Sequence, residues 1–195
     1  MRSKIIHLAC VVSALAVLSA CGDDAGNEFS NYHCNLTLDN STHQNPTLAS
    51  AMNPLSPGIF CKIGFMVRGG ASCYTFENNQ NVSGPSSIFN AIDVRLENQN
   101  RIGMNHGLIV GYGNLDNPAV FYAYDAECPN CFNVHALPMR SYPLTVSSTG
   151  VASCARCKNE YNLNTGGNIV KGSGVQLLTR YRCNTPEPYG VLQVY

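Results

Sequence analysis

The stretch "IFCKIGFMVRGGASCYTF", from Ile59 to Phe76, decides the fold class. Two apolar runs rich in β-branched and aromatic residues flank a glycine pair, which is the pattern of a β-hairpin. If Gly69–Gly70 forms a two-residue turn, position 73 faces position 66, which lies on the opposite strand face from position 61. Cys61 and Cys73 are therefore not expected to form a disulfide with each other.

Similar apolar runs recur along the rest of the chain, separated by turn residues at intervals of about 8–12 positions. They are "GLIVGYG", "AVFYAYDA", "YPLTV", "GVASC", "VQLLTRYRC" and "GVLQVY". Only the segment from Asn45 to Leu55 has the spacing of a short helix, which Pro54 and Pro57 would end. The sequence therefore predicts an all-β fold, an antiparallel sandwich or barrel of about eight strands.

Composition limits the classes of function. Hydrophobic residues make up 45% of the 195 residues, which is enough for a core, and charged residues only 12%. The formal net charge of +0 provides no broad basic face, so we expect no nucleic-acid partner. The chain carries no serine-hydrolase, zinc-protease or phosphate-loop motif, and its acidic residues form no clear acid–base pair. We therefore expect a protein that is not an enzyme.

The N-terminus predicts export. Arg2 and Lys4 precede an apolar run from Ile5 to Leu18. A membrane-spanning helix needs about 20 residues, so the run suits a signal peptide better. It ends in "LSAC", which resembles a bacterial lipobox, whose cysteine becomes the lipidated first residue of the mature protein. The resemblance implies a lipoprotein signal peptide over residues 1–20 and lipid on Cys21. The alternative is an ordinary secretory signal.

The mature chain would then be held by its lipid, with the membrane as its first partner. Residues 21–30 are polar and predict a short tether. Residues 31–195 predict a single β-domain. Gly22 favours the outer membrane, at its periplasmic face or at the cell surface, over the inner membrane. A protein or envelope partner is expected, but the sequence does not identify it.

Ten cysteines are many for this length and favour metal binding or disulfides over a reducing cytosol. Two pairs, Cys128/Cys131 and Cys154/Cys157, have C-x2-C spacing. Two such turns brought together place four thiolates around one metal ion. Local or crossed disulfides are the alternative. A redox-active C-x-x-C is disfavoured, because no helix follows either pair.

Cys10 belongs to the predicted leader, Cys21 carries the predicted lipid, and four more form the two C-x2-C pairs. The remaining four cysteines are Cys34, Cys61, Cys73 and Cys183. A bridge between Cys34 and Cys183 would tie the first strand to a late one and is possible. Buried free thiols are the alternative for all four.

Residues 119–195 resemble the cluster-binding part of a Rieske-type iron–sulfur domain. "VFYAYDAECPNC" resembles its first strand and ligand loop, and "GVASCARCKNEYNLNTGG" resembles the second loop with the strands around it. "VQLLTRYRC" and "GVLQVY" resemble the closing strands. The resemblance extends over about residues 30–195 and, with the lipobox, points to bacterial lipoproteins with a Rieske-like domain. It implies two metal-ligand loops at one end of the fold.

The ligand positions depart from the Rieske pattern. Cys128 and Cys154 match the cysteine ligands, Cys157 stands at the second histidine and Cys131 replaces the first, shifted by one residue. His135 lies near the motif but is expected to be a loop residue. Histidine ligation raises the potential of a Rieske cluster, so a redox role does not carry over.

Four thiolates fill a tetrahedral zinc site, which predicts a structural zinc ion and a binding or structural role. Arg156 and Lys158 could offset the negative charge of such a site, unless they are simply solvent-exposed. An electron-transfer protein with an all-cysteine [2Fe–2S] cluster is the second hypothesis. A metal-free, disulfide-stapled envelope domain is the third.

Overall fold

The computed structural model describes residues 28–32, 34–173 and 176–195 and confirms the all-β prediction with three antiparallel sheets. The predicted signal peptide and Cys21 lie outside the described residues. The predicted tether is described only from residue 28 onward. Within the described part, no helix has the length and apolarity needed to cross a membrane.

The described residues form β-strands and three short helices. The strands are β1 (Leu36–Asp39), β2 (Phe60–Arg68), β3 (Ala71–Asn78), β4 (Ser87–Ile88), β5 (Gly107–Tyr112), β6 (Phe121–Asp125), β7 (Leu144–Val146), β8 (Val151–Cys154), β9 (Glu160–Asn162), β10 (Asn168–Lys171), β11 (Arg180–Tyr181), β12 (Cys183–Asn184) and β13 (Val191–Val194). The helices are α1 (Asn40–His43), α2 (Pro46–Ala51) and α3 (Ala91–Leu96), and a 3-10 turn covers Leu163–Thr165.

The predicted hairpin has the predicted register. β2 and β3 pair antiparallel with Arg68 opposite Ala71 and with Met66 opposite Cys73. Gly69 and Gly70 have φ values of +60° and +83°, which a two-residue turn between twisted strands requires and which glycine adopts without a steric penalty. Cys61 pairs instead with Asn78, so it does not meet Cys73.

A six-stranded sheet in the order β11-β6-β5-β2-β3-β4 forms the middle of the molecule. One of its faces packs against α2 and a three-stranded sheet of order β1-β13-β12. The opposite face packs against a four-stranded sheet of order β10-β9-β8-β7. The two faces thus cover two cores, the first beside α2 and the three-stranded sheet and the second beside the four-stranded sheet. β5 contributes to both, because Leu108 and Val110 lie in the first core and Ile109 lies in the second. A strand covered on both faces is apolar throughout, as "GLIV" is.

The predicted helix near Asn45 is present as α2. The Asn45 side chain accepts from the N–H groups of Thr47 and Leu48 and so begins the helix. α3 was not predicted from the sequence, although Asn90 and Asp93 form a capping box at its start. The long strand expected from "VQLLTRYRC" is wrong for its described part. There Leu178 donates its N–H to the carbonyl of Gly167, and only β11 and the start of β12 are extended strand.

Cys34 and Cys183 are free thiols, so the possible bridge between them is not formed. β13 lies between β1, which Cys34 precedes, and β12, which holds Cys183. Two strands with a third between them lie about 10 Å from each other, whereas disulfide Cα atoms lie within about 7 Å. Each thiol instead lies against a backbone carbonyl, that of Arg101 for Cys34 and that of Phe121 for Cys183.

Candidate metal site

The first ligand loop follows β6 directly. The N–H of Cys128 donates to the carbonyl of Tyr142 at 3.0 Å, which fixes the loop against the segment leading into β7. The carbonyl of Cys128 accepts from the N–H groups of Cys131 at 3.1 Å and Phe132 at 2.8 Å. The backbone therefore turns back within one C-x2-C unit, so that both sulfurs point to the same side.

The second ligand loop begins at the last residue of β8. The carbonyl of Cys154 accepts from the N–H of Lys158, and the N–H of Cys154 donates to the carbonyl of Asn159, both at 3.0 Å. Lys158 closes this turn with a φ of +63°. Cys154 pairs with Leu144 of β7, and the N–H of Leu144 donates to the carbonyl of Ala126. β7 therefore links the two loops.

The two loops bring all four predicted cysteines together. Their Sγ atoms lie within 4.8 Å of one another. Cys128 and Cys157 are 3.7 Å apart, and Cys131 and Cys154 are 3.8 Å apart. A tetrahedron with metal–sulfur bonds of about 2.3 Å has edges of about 3.8 Å, so the four sulfurs fit around a single ion.

The disulfide alternative is wrong for this site. All four cysteines are free thiols, with sulfur separations well beyond the bond length of about 2.05 Å. The first cysteine of each pair is buried and the second is half-buried. The site therefore lies at the surface end of the second core, with two sulfurs facing inward and two facing the rim.

Three of the four thiols, those of Cys128, Cys131 and Cys157, have shifted pKa values of different direction or size. Burial raises the pKa of Cys128 well above that of an ordinary thiol. Burial and the thiols of Cys157 and Cys154 raise the pKa of Cys131 to about 11. For Cys157, burial acts in the same direction but is outweighed by the N–H of Asn159 and the neighbouring thiols, which lower its pKa to about 7. Cys157 is therefore the thiol best prepared to bind a cation as a thiolate.

Tyr161 contacts the site from β9. Its hydroxyl lies 3.8 Å from the Sγ of Cys128, inside the second core. Asn159 is buried, and its Nδ2 lies 3.4 Å from the same hydroxyl and 3.1 Å from the carbonyl of Ser173. The tyrosine can thus donate to a thiolate while the asparagine holds it in place. The sequence did not predict this contact.

Two buried carboxylates brace the first loop. Asp125 accepts from the N–H groups of Met104 and Glu127 and from the Tyr181 hydroxyl, at 2.7–2.8 Å. Burial nevertheless raises the pKa of Asp125. Glu127 accepts from the side chains of Asn105 and Ser141 and from the N–H of Tyr142. This role was not predicted from the sequence, although the "DAEC" pattern, with two acids within three residues before a ligand, could have indicated it.

The basic residues near the site are solvent-exposed. The Arg156 guanidinium lies 4.5 Å from the centre of the Tyr142 ring. Neither Arg156 nor Lys158 makes an ion pair with the described residues. His135 is exposed and lies outside the cysteine cluster, as expected of a loop residue.

Comparisons with known proteins add no family. No protein-family model matches the chain, and none of the curated proteins is significantly similar to it. The function must therefore be inferred from the four-cysteine site and its surroundings.

Proposed function

We propose that this protein is a lipid-anchored cell-envelope protein in which Cys128, Cys131, Cys154 and Cys157 bind one structural zinc ion. The observation that carries the proposal is the set of sulfur separations, since 3.7 Å and 3.8 Å equal the edge of a zinc–thiolate tetrahedron. Four protein ligands leave no open position for a substrate. The protein then acts through binding or structure and not through catalysis.

The zinc ion would tie together two loops from different parts of the chain. Cys128 follows the middle sheet, and Cys154 belongs to the four-stranded sheet. A metal bond between them closes the end of the second core, where the ion stabilises the folded state over the unfolded one. Tyr161 and the N–H of Asn159 would stabilise the negative charge of the thiolates.

A [2Fe–2S] cluster fits the same residues less well. Two bridged irons place the two thiolate pairs at opposite ends of the cluster, so sulfurs on different irons lie farther apart than one tetrahedral edge. Here the close pairs join Cys128 to Cys157 and Cys131 to Cys154, and no two of the four sulfurs are more than 4.8 Å apart. These distances favour a single ion. The Rieske resemblance then concerns the fold, and this protein would be a Rieske-like domain without the redox centre.

Elemental analysis of the purified, metal-replete protein tests the proposal. We expect one zinc ion per chain and no visible absorption. One iron per chain would indicate a single iron in four thiolates, and two irons with charge-transfer bands would indicate the cluster. Either result would overturn the zinc assignment. The protein should be purified without oxygen so that a labile cluster is not lost.

The lipid anchor is supported by the lipobox resemblance at Cys21. Cys21→Ala should abolish acylation of the chain without changing its metal content, because the anchor and the metal ligands are far apart in sequence. Mass spectrometry should find acyl chains on the N-terminal peptide of the wild type alone. A wild-type protein without acyl chains would contradict the anchor and leave the zinc assignment standing.

A further inference from the structure

The six-stranded sheet carries a pocket that the metal site does not use. Its volume is about 360 Å³, within the range of small-ligand sites. Phe65 of β2, Tyr74 of β3 and Phe89 after β4 line one side. The loop between α3 and β5 lines the other, with Asn100 and Met104 among its residues.

Aromatic rings form the wall of this pocket. The centroids of Tyr74 and Phe89 lie 4.3 Å apart, and those of Phe65 and Phe89 lie 5.8 Å apart at 63°. Phe65 and Phe89 are only half-buried, although their side chains are large and apolar. The two rings meet at a steep angle and are both reachable from solvent. They form an apolar surface against which an apolar or aromatic ligand group can pack favourably.

His43 and Asp93 support this aromatic wall through Tyr74. The ring of His43 packs edge-on against Tyr74 with centroids 5.6 Å apart. Nε2 of His43 lies 3.0 Å from Oδ2 of Asp93, and both side chains are buried. A wall that is already ordered loses little conformational entropy when a ligand binds.

Two opposite charges flank the aromatic wall. Glu97 and Arg101 both line the pocket and both are exposed. They make no ion pair with each other or with another described residue. An oxygen of Glu97 accepts from the hydroxyl of Ser72 at 2.7 Å, and the backbone of Arg101 is fixed by Asn35. The two charges cancel, so the pocket favours neither a simple anion nor a simple cation.

We propose that this pocket binds a small zwitterion with an apolar or aromatic side chain, the chemistry of a free amino acid. The guanidinium of Arg101 pairs with the ligand carboxylate, for which its planar donors are suited. The carboxylate of Glu97 pairs with the ligand ammonium group. The ligand side chain packs against Phe65 and Phe89. This binding site is separate from the cysteine site and does not depend on which metal that site holds.

Three ligands with the same aromatic ring test the charge requirement. L-phenylalanine, N-acetyl-L-phenylalanine and L-phenylalaninamide share the ring, but the second lacks the ammonium group and the third lacks the carboxylate. In NMR titrations of the purified metal-loaded protein, L-phenylalanine should bind at least about tenfold more tightly than either analogue, since each analogue loses one charge-assisted hydrogen bond.

Two variants assign the charges to residues. Glu97→Gln should abolish the preference over N-acetyl-L-phenylalanine only, and Arg101→Gln should abolish the preference over L-phenylalaninamide only. Glu187→Gln and Arg95→Gln, at charged positions outside the pocket, should keep both preferences. Equal affinity for the three ligands, no binding of L-phenylalanine, or unchanged preferences in both pocket variants would overturn the proposal. Unchanged metal content and chemical-shift dispersion show that a variant is folded.

Discussion

The protein contains two sets of four cysteines whose surroundings differ. The metal quartet consists of Cys128, Cys131, Cys154 and Cys157, which converge within 4.8 Å. The core quartet consists of Cys34, Cys61, Cys73 and Cys183. Cys34 and Cys61 lie in the first core, Cys183 packs against it, and Cys73 is buried outside both cores. All eight are free thiols, so the number of cysteines alone does not determine their role.

The difference comes from the backbone. Each pair of the metal quartet lies in a turn whose first carbonyl accepts an N–H from three or four residues ahead, which directs both sulfurs to one point. The core quartet lies in or beside extended strands, where side chains are directed by the pleat and by the neighbouring strand. Met66, not a cysteine, is opposite Cys73, and Asn78 is opposite Cys61.

Removing one thiolate from the metal quartet should have the largest effect. A structural zinc site contributes roughly 10–16 kcal/mol, so one of four ligands accounts for about 2.5–4 kcal/mol. Cys154→Ser should therefore weaken zinc binding by about a hundredfold to a thousandfold. Competition with a chromophoric chelator measures this loss.

Cys73→Ser is the matched substitution in the core quartet. Cys73 is equally buried, and its Sγ lies 3.5 Å from the carbonyl of Ala71, to which a serine hydroxyl can also donate. This variant should keep one zinc per chain with wild-type affinity. Equal losses of zinc affinity in Cys154→Ser and Cys73→Ser would show that the comparison between the quartets is wrong.

Sequence spacing could predict the metal quartet because each C-x2-C unit fixes its own turn. The hairpin register was predictable for the same reason, since Gly69–Gly70 allows a two-residue turn. The arrangement of the three sheets was not predictable from the sequence. The strand β5 is buried on both faces by sheets from distant parts of the chain, and its "GLIV" run fits a sandwich equally well. The contact of Tyr161 with Cys128 also depends on tertiary packing.

Thiol reactivity should separate the quartets next most strongly. Burial raises the pKa values of Cys34, Cys61 and Cys183 to about 12. At neutral pH their thiolate population is very small, so in native protein they should react with iodoacetamide about a hundredfold more slowly than unfolded cysteines, or slower still. A strong chelator should expose Cys157, whose pKa is about 7, to labelling well before any cysteine of the core quartet, as peptide mass spectrometry would show. Labelling of Cys61 before unfolding would contradict this expectation.

The same thiols predict alkaline destabilisation. In the unfolded chain a cysteine loses its proton near pH 9, whereas these three keep theirs up to about pH 12 in the folded protein. Between these values the unfolded state binds fewer protons, so the free energy of unfolding falls as pH rises. Urea unfolding of Cys61→Ala over this pH range should show a free energy of unfolding that falls less steeply with pH than that of the wild type. The difference in slope should correspond to about one proton. An unchanged slope would mean that Cys61 is not protected by burial.

The smallest effect we expect comes from the tyrosine that contacts the metal quartet. Tyr161→Phe removes the hydroxyl 3.8 Å from the Sγ of Cys128 and keeps the ring that packs in the second core. Loss of an outer hydrogen bond to a ligand lowers metal affinity by about tenfold. Tyr122→Phe is the control, because its hydroxyl donates to Asp116 and not to a cysteine. If both variants bind zinc as the wild type does, the hydroxyl of Tyr161 only fills space. If Tyr161→Phe alone is weakened, the influence of the metal site reaches past its four thiolates into the second core.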